Sequence, residues 1–204
     1  MAAIKTVGVI GSGQMGNGIA HVAALAGFNV VLYDVSADRV KSAMATINGN
    51  LTRQVAKKTI TEDAHKQAIA RISSADNFDG FAGCDLVIET AVEKEDVKRK
   101  IFHDLCAVLR PDAIIASNTS SISITRLAAS TDRPEKFIGI HFMNPVPVME
   151  LVELIRGIAT DDATFDAARE FVTAMGKQIA VSEDFPAFIV NRILLPMINE
   201  AIYT

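Results

Sequence analysis

The sequence predicts an α/β fold with a doubly wound, mostly parallel sheet and helices on both faces. Short β-branched runs alternate with helix-like segments along most of the chain, and a cluster of glycines follows the first run. Half of the 204 residues are apolar, enough for one or two domains with a sizeable core. A disordered or fibrous chain is therefore excluded.

The first elements predict one βαβ unit. Residues 4–10 form a β-branched strand, residues 14–26 an alanine-rich helix and residues 29–33 a second strand. Residues 36–71 then predict two helices with a break at 59–61, which is longer than a crossover needs. We expect this pair to form a helical projection from the sheet.

The alternation of strands and helices continues to about residue 181. Strands are predicted at 86–88, 113–116, 137–140, 148–155 and 178–181, and helices at 97–109 and 160–175. Together with the βαβ unit, these elements predict a sheet of seven or eight strands.

The last segment differs from the rest of the chain. Residues 187–203 are apolar nearly all round, with Asp184 expected as the cap of a helix and Pro186 in its first turn. Such a helix has to be covered, either by further chain or by another subunit. We expect the former: a first domain over residues 1–184, with 185–204 as the start of a truncated, helical C-terminal domain.

Composition excludes several classes of function. A net charge of −4 gives no basic footprint for nucleic acid. Cys84 and Cys106 show neither metal-ligand spacing nor a disulfide framework, which favours a reducing compartment and no metal. The sequence shows no signal peptide and no apolar run of ~20 residues. We therefore expect a cytoplasmic protein without nucleic-acid or membrane partners.

A glycine-rich turn lies between the first strand and the first helix. It matches G-x-G-x-x-G and consists of Gly11, Ser12, Gly13, Gln14, Met15 and Gly16. Its glycines allow a positive φ, the approach of a pyrophosphate and close packing of the helix on the strand. The next strand leads to Asp34, whose carboxylate suits ribose hydroxyls and would repel a 2′-phosphate. The constellation predicts a Rossmann-type NAD site. Arg39 softens the preference for NAD over NADP, and a nucleotide-free turn is the alternative.

His141 and Glu153 are the candidate catalytic pair. His141 ends an apolar strand at the carboxyl edge of the sheet, where doubly wound folds bind their ligands. A histidine can take the proton of an alcohol as hydride leaves the same carbon, provided a partner fixes its tautomer. Glu153 lies in an apolar strand and is the best partner. The alternative is a histidine that caps a strand and a glutamate on a wet edge.

Three further polar groups have weaker signals. Residues 117–121 (Ser-Asn-Thr-Ser-Ser) follow a strand and could hold a substrate hydroxyl or a nicotinamide amide, or instead cap a helix that begins near Ile122. Asn191 lies on the last apolar helix, where an amide needs a polar partner. Arg53, Lys57 and Lys58 could meet phosphates or could simply be solvated.

Four segments together carry a family resemblance. They are the glycine turn with Asp34, residues 117–121, residues 141–153 (His-Phe-Met-Asn-Pro-Val-Pro-Val-Met-Glu-Leu-Val-Glu) and residues 188–192 (Phe-Ile-Val-Asn-Arg). In these segments, and over nearly its whole length, the chain resembles the L-3-hydroxyacyl-CoA dehydrogenases, especially the monofunctional bacterial 3-hydroxybutyryl-CoA dehydrogenase type.

The resemblance implies a role for each matching residue. His141 would be the general base and Glu153 its orienting carboxylate, while Ser120 and Asn191 would hold the substrate oxygen. NAD would lie on residues 11–16 and Asp34, with its nicotinamide side lined by Glu93, Lys98, Asn118, Ser120 and Asn144. The substrate would be a 3-hydroxyacyl-CoA, short-chain in this type, and its coenzyme A would also contact Asn50 and Lys57.

The resemblance also implies two departures. Family members usually carry glycine where this chain has Ala187, which we expect the helix start to tolerate. They also continue into an all-helical domain that forms a homodimer, of which only the first helix is expected here. Two alternatives stay open: a related β-hydroxyacid dehydrogenase that does not use coenzyme A, and a non-catalytic nucleotide-binding or structural relative.

Overall fold

The computed structural model describes residues 3–204, which form an α/β fold around one sheet. Its strands are β1 (Thr6–Ile10), β2 (Asn29–Tyr33), β3 (Ile72–Ser74), β4 (Leu86–Glu89), β5 (Ile114–Ser117), β6 (Phe137–Phe142), β7 (Leu151–Arg156) and β8 (Gln178–Glu183). Its helices are α1 (Gln14–Leu25), α2 (Ala37–Ala56), α3 (Glu62–Ala70), α4 (Glu95–Cys106), α5 (Ile124–Ala128), α6 (Asp162–Ala174) and α7 (Val190–Tyr203). Short 3₁₀ turns lie at Phe78–Phe81 and Pro134–Lys136.

The strand order is β3-β2-β1-β4-β5-β6-β7-β8. The pairs are parallel except β6 with β7, which run antiparallel. The first six positions follow the 3-2-1-4-5-6 order of a dinucleotide-binding fold, whose ligand crevice lies outside the carboxyl ends of β1 and β4. The predicted doubly wound, mostly parallel sheet is confirmed.

The core has one layer on each face of the sheet, as buried parallel strands require. Val9 and Leu32 pack with α1 on one face, and Val87 and Ile115 pack with Phe102 of α4 on the other. Strand β3 was missed by the sequence analysis because only Ile72 of its three residues is apolar. It is an edge strand that pairs with β2 alone.

The helical pair after β2 has the predicted break. Helix α2 is capped at Lys57, Lys58 has a φ of 58°, and Thr61 caps α3. Both helices pack against α1, because the apolar face of α2 supplies Ile47 and Leu51 to the core. The projection is therefore anchored along its length to the first βαβ unit.

The predicted start of the last helix is wrong. Asp184 instead accepts hydrogen bonds from the first two backbone amides of α5, and α7 begins only at Val190. Pro186 lies in the preceding turn, and Ala187 and Phe188 have φ values of 67° and 49°. The reason is tertiary: α5 and β7 supply polar partners that a local reading of the segment does not include. Within residues 3–204, no helix combines the length and apolarity needed to cross a bilayer.

Candidate active site

The glycine turn forms an open cradle at the carboxyl end of β1. Gly11 has a φ of 93°, and a Cβ on Gly16 would lie 1.7 Å from the carbonyl oxygen of Gly11, so neither position accepts a side chain. A Cβ on Gly13, by contrast, meets no atom of residues 3–204 within 4 Å. The backbone of Gly13 therefore faces free space at the start of α1, as the pyrophosphate of a dinucleotide requires.

Asp34 is fixed beside this turn. Its Oδ2 accepts hydrogen bonds from the backbone N–H of Ser12 at 2.9 Å and from its hydroxyl at 3.1 Å, and its Oδ1 accepts one from Ser36 N at 3.2 Å. Arg39 Nη1 lies 3.9 Å from Oδ1 on a side chain that is 70% exposed. A ribose placed on the turn would meet the carboxylate directly, whereas Arg39 lies at its solvent side.

Two cavities flank the segment that follows β6. The first, of about 530 Å³, lies between the glycine turn, α2 and residues 144–147, and includes Arg39 and Asn50 in its wall. The second, of about 460 Å³, lies at the carboxyl ends of β4, β5 and β6. Asn144 lines both cavities, so the two form adjoining parts of one cleft. Lys57 lies at the exposed end of α2 and lines neither.

The second cavity brings together most of the predicted site residues from separate parts of the chain. Its wall includes Glu93, Lys98, Asn118, Ser120, His141, Asn144 and Asn191. Asn191 Nδ2 donates a hydrogen bond to the carbonyl oxygen of Ser120 at 3.1 Å, which is the polar partner expected for an amide on an apolar helix. Three elements, α4, β6 and α7, and the segments that follow β4, β5 and β6 thus converge on one small volume.

His141 and Glu153 are in direct contact. They are opposite each other in the antiparallel pairing of β6 with β7, and His141 Nδ1 lies 2.7 Å from Glu153 Oε2. Glu153 is fully buried, so the wet-edge alternative is wrong. Burial by itself raises the pKa of Glu153, but the hydrogen bonds from His141 and from the backbone of Val190 and Ile189 hold it below its ordinary value. Glu153 is therefore an anion at neutral pH.

The second oxygen of Glu153 has a different task. Oε1 accepts hydrogen bonds from Ile189 N at 2.9 Å and Val190 N at 2.8 Å, at the start of α7. The free amides of a helix N-terminus favour an anion, which accounts for a buried carboxylate at this position. The imidazole of His141 and the first turn of α7 are consequently held by the same side chain.

Residues 117–121 form a structured turn rather than a helix cap. Phe142 N donates to Asn118 Oδ1 at 2.9 Å, and Ser120 N donates to Glu93 Oε1 at 3.1 Å. The cap of α5 is Ser123, and the helix begins at Ile124, so the capping alternative is wrong. The backbone bond from Phe142 orients the amide of Asn118 with its oxygen toward β6.

Comparisons with known proteins agree with this geometry. A family profile described as "3-hydroxyacyl-CoA dehydrogenase, NAD binding domain" matches residues 6–185. The chain is 80% identical over 203 residues to a 3-hydroxybutyryl-CoA dehydrogenase of Bradyrhizobium diazoefficiens, covering 100% of this chain and 69% of that protein. It is 41% identical over 201 residues to a 3-hydroxyadipyl-CoA dehydrogenase of Escherichia coli, covering 98% of this chain and 42% of that protein.

A solved structure shows the same fold. The crystal structure of (S)-3-hydroxybutyryl-CoA dehydrogenase from Ralstonia eutropha superposes with a TM-score of 0.95 at 48% identity, covering 98% of this chain and 70% of that one. The chain belongs to the 3-hydroxyacyl-CoA dehydrogenase family. The resemblance inferred from the four segments and the prediction of NAD as cofactor are both confirmed.

Several residues of this 3-hydroxyacyl-CoA dehydrogenase domain were missed by the sequence analysis. Glu89 is fully buried at the end of β4 and binds Lys98. The hydroxyl of Thr90 lies 2.9 Å from the carbonyl oxygens of Ile10 and Gly11 and can donate a hydrogen bond to either. A charged residue that ends an apolar strand is a signal that could have identified Glu89. Asp184 was predicted as the cap of the last helix, and its actual partners on α5 gave no local signal because they lie about 60 residues away.

Proposed function

We propose that this protein oxidises L-3-hydroxyacyl-CoA to 3-oxoacyl-CoA reversibly, with NAD as hydride acceptor and short-chain substrates such as 3-hydroxybutyryl-CoA. The observation that carries this proposal is the His141–Glu153 contact in a cleft that adjoins the glycine turn. Family membership and the names of the relatives support it. The same findings speak against a dehydrogenase that does not use coenzyme A and against a non-catalytic relative.

The role of His141 follows from its contact with a carboxylate. An ionised Glu153 only accepts hydrogen bonds, so Nδ1 of His141 carries the proton and Nε2 keeps a lone pair. When bound, NAD supplies the acceptor for a hydride. Nε2 takes the proton of the substrate's 3-hydroxyl group as the C–H electron pair leaves the same carbon, and the C–O bond becomes a carbonyl. Glu153 stabilises the imidazolium that forms.

Polar groups around the cleft would hold the reacting oxygen and the cofactor. Ser120 and Asn191 contact each other on the cavity wall and would bind the substrate oxygen as it becomes a ketone. NAD would rest on residues 11–16 with its ribose at Asp34. Its nicotinamide side would face Glu93, Lys98, Asn118, Ser120 and Asn144, all of which line the second cavity.

Coenzyme A would reach the cleft past the helical pair. Asn50 lines the first cavity and would contact it there, and Lys57 would contact its more distant part from the end of α2.

The exposed apolar residues of α7 support a homodimer that covers this helix, together with further helical chain. The proposed location is the cytoplasm.

A histidine variant tests the proposal. We expect His141→Gln to lower kcat/KM for NADH formation from 3-hydroxybutyryl-CoA by about 10²–10⁴-fold, the usual contribution of a positioned general base. His103→Gln, on the exposed face of α4, is the matched control and should keep the parental rate. An unchanged rate in His141→Gln would remove its catalytic role. Turnover of free 3-hydroxybutyrate in place of its coenzyme A ester would contradict the substrate class.

A further inference from the structure

A buried ion pair lies behind the wall of the catalytic cavity. Lys98 is 1% exposed, and its Nζ lies 2.7 Å and 2.9 Å from the two carboxylate oxygens of the fully buried Glu89. Glu89 also accepts hydrogen bonds from Ala91 N at 2.6 Å and from the hydroxyl of Ser117 at 2.7 Å. Each oxygen of this carboxylate therefore already has two hydrogen-bond partners. Glu89 takes no direct part in the proposed chemistry.

Lys98 also reaches a second carboxylate that does face the cavity. Its Nζ lies 3.2 Å from Glu93 Oε2, and the Glu93 side chain is 40% exposed. Burial by itself raises the pKa of Glu93, but the hydrogen bond from Thr119 and the charge of Lys98 bring it below its ordinary value. Burial raises the pKa of Glu89, and the charge of Lys98 and the hydrogen bonds from Lys98, Ser117 and Ala91 oppose that rise. By its ion-pair geometry the cluster of Glu89, Lys98 and Glu93 consists of two carboxylates around one ammonium group, with one negative charge in excess.

The excess charge lies next to the place where the nicotinamide must bind. A hydride can pass only between carbons in contact, so the nicotinamide has to share the second cavity with the substrate carbon beside His141. Glu93 and Lys98 line that same cavity. The nicotinamide ring is a cation when oxidised and uncharged when reduced, so a nearby negative charge stabilises the oxidised form more than the reduced form.

From this juxtaposition we propose that Glu89 is a positioning residue that anchors Lys98 in the cavity wall, and that the net charge of the Glu89–Lys98–Glu93 cluster makes the protein favour NAD⁺ over NADH. This inference rests on the proposed function, since it requires the nicotinamide to lie beside His141. It adds a determinant of cofactor redox preference that acts from outside the cavity wall.

The test is a comparison of the dissociation constants of NAD⁺ and NADH, measured by calorimetry and by NADH fluorescence without substrate. Glu89→Gln removes the excess negative charge. We expect the ratio Kd(NAD⁺)/Kd(NADH) to rise about fivefold, which is the effect of one negative charge several ångströms from the cationic nicotinamide in a medium of high dielectric constant. Glu93→Gln removes the same charge at a half-exposed position and should give a rise of similar size.

A double variant separates charge from structure. Glu89→Gln combined with Lys98→Met keeps the net charge of the parent and leaves no unpaired ion in the core, so its ratio should return to the parental value. Glu93→Gln and this double variant remain informative if Glu89→Gln does not fold.

The outcomes distinguish the inference from the proposed function. Equal changes in both dissociation constants, with a constant ratio across all variants, would mean a purely structural role for Glu89 and would overturn the inference. Absence of measurable binding of either nucleotide to the parent protein would instead overturn the proposed function. A ratio that follows the net charge of the cluster supports both.

Discussion

At the scale of single residues, Glu153 connects the proposed general base to the start of α7. One oxygen orients His141, and the other accepts two backbone amides at the start of α7. A shorter or neutral side chain would lose one or both functions. Only a carboxylate has two acceptor oxygens, one for the imidazole of His141 and one for the backbone amides at the start of α7. The position of this carboxylate follows from the pairing register of β6 and β7.

Ala187 is a residue with backbone strain. It has a φ of 67°, in the left-handed region that favours glycine, and it precedes the helix that Glu153 anchors. We expect Ala187→Gly to raise the free energy of unfolding by about 0.5 to 1 kcal/mol, as the released strain exceeds the added entropy of the unfolded chain. Urea denaturation of parent and variant measures this difference.

The control for this substitution is Ala174→Gly, at the exposed end of α6. The same chemical change there should lower the free energy of unfolding by roughly 0.5 to 1 kcal/mol, because a helical alanine is replaced without any strain to release. Equal destabilisation at both positions would show that the left-handed conformation of Ala187 costs nothing.

At the scale of elements, the segment between β8 and α7 is fixed through α5. The carboxylate of Asp184 accepts hydrogen bonds from Ser123 Oγ at 2.6 Å, Ile124 N at 2.9 Å and Thr125 N at 2.8 Å. Helix α5 in turn packs under β6, the strand of His141. The approach to α7 is therefore tied at two points, Asp184 and Glu153, to the elements that carry the cleft.

We expect Asp184→Ala to lower the free energy of unfolding by about 2 kcal/mol, because it leaves the hydroxyl of Ser123 and two part-buried amides of α5 without their acceptor. Thermal and urea denaturation both report this loss. Asp166→Ala on α6, where the carboxylate is about half exposed and paired with Arg169, is the control and should change stability by less than about 0.5 kcal/mol. A similar small effect at Asp184 would show that its hydrogen bonds to α5 do not stabilise the fold.

The sequence predicted the elements whose determinants are local. The glycine turn, Asp34 and His141 each lie in a short motif, and their placement at the sheet edge needs only the alternation of strands and helices. The partner of Asp184 and the contact of Glu153 with α7 could not be predicted, because they join residues about 60 and 36 positions apart. Strand β3 was invisible for another reason: its pairing with β2 depends on backbone groups, and two of its three residues are serines.

At the scale of the whole molecule, buried titratable groups set the response to pH. Burial lowers the pKa of His21, and hydrogen bonds lower those of Glu153 and Asp184 despite the opposing effect of burial. In each case the unfolded chain binds a proton at a higher pH than the folded chain does. The stability that these three groups contribute is therefore fully present above their ordinary pKa values and is lost as the pH falls through the lowered ones.

We expect the melting temperature to decline first below pH 6.5, the ordinary pKa of His21, and more steeply below about pH 4.5, the ordinary pKa of Glu153. Calorimetric melts between pH 8 and about pH 3.5 measure both phases. His21→Gln should remove the first phase and leave the second, and Glu153→Gln should reduce the second alone. A melting temperature independent of pH over this range would contradict the assignment.

Within residues 3–204, β6 and β7 form the one antiparallel pair of the sheet. This pairing makes the contact of His141 with Glu153 tolerant of insertions in the connection between the two strands but sensitive to insertions inside β7. His141 and Glu153 meet because their strands run in opposite directions from one connection, where Val148 is 72% exposed. A residue inserted at Val148 can bulge into solvent without altering the ladder. An insertion inside β7 before Glu153 reverses which side of the sheet its carboxylate faces. The connection can thus change in length at Val148 while His141 keeps its contact with Glu153.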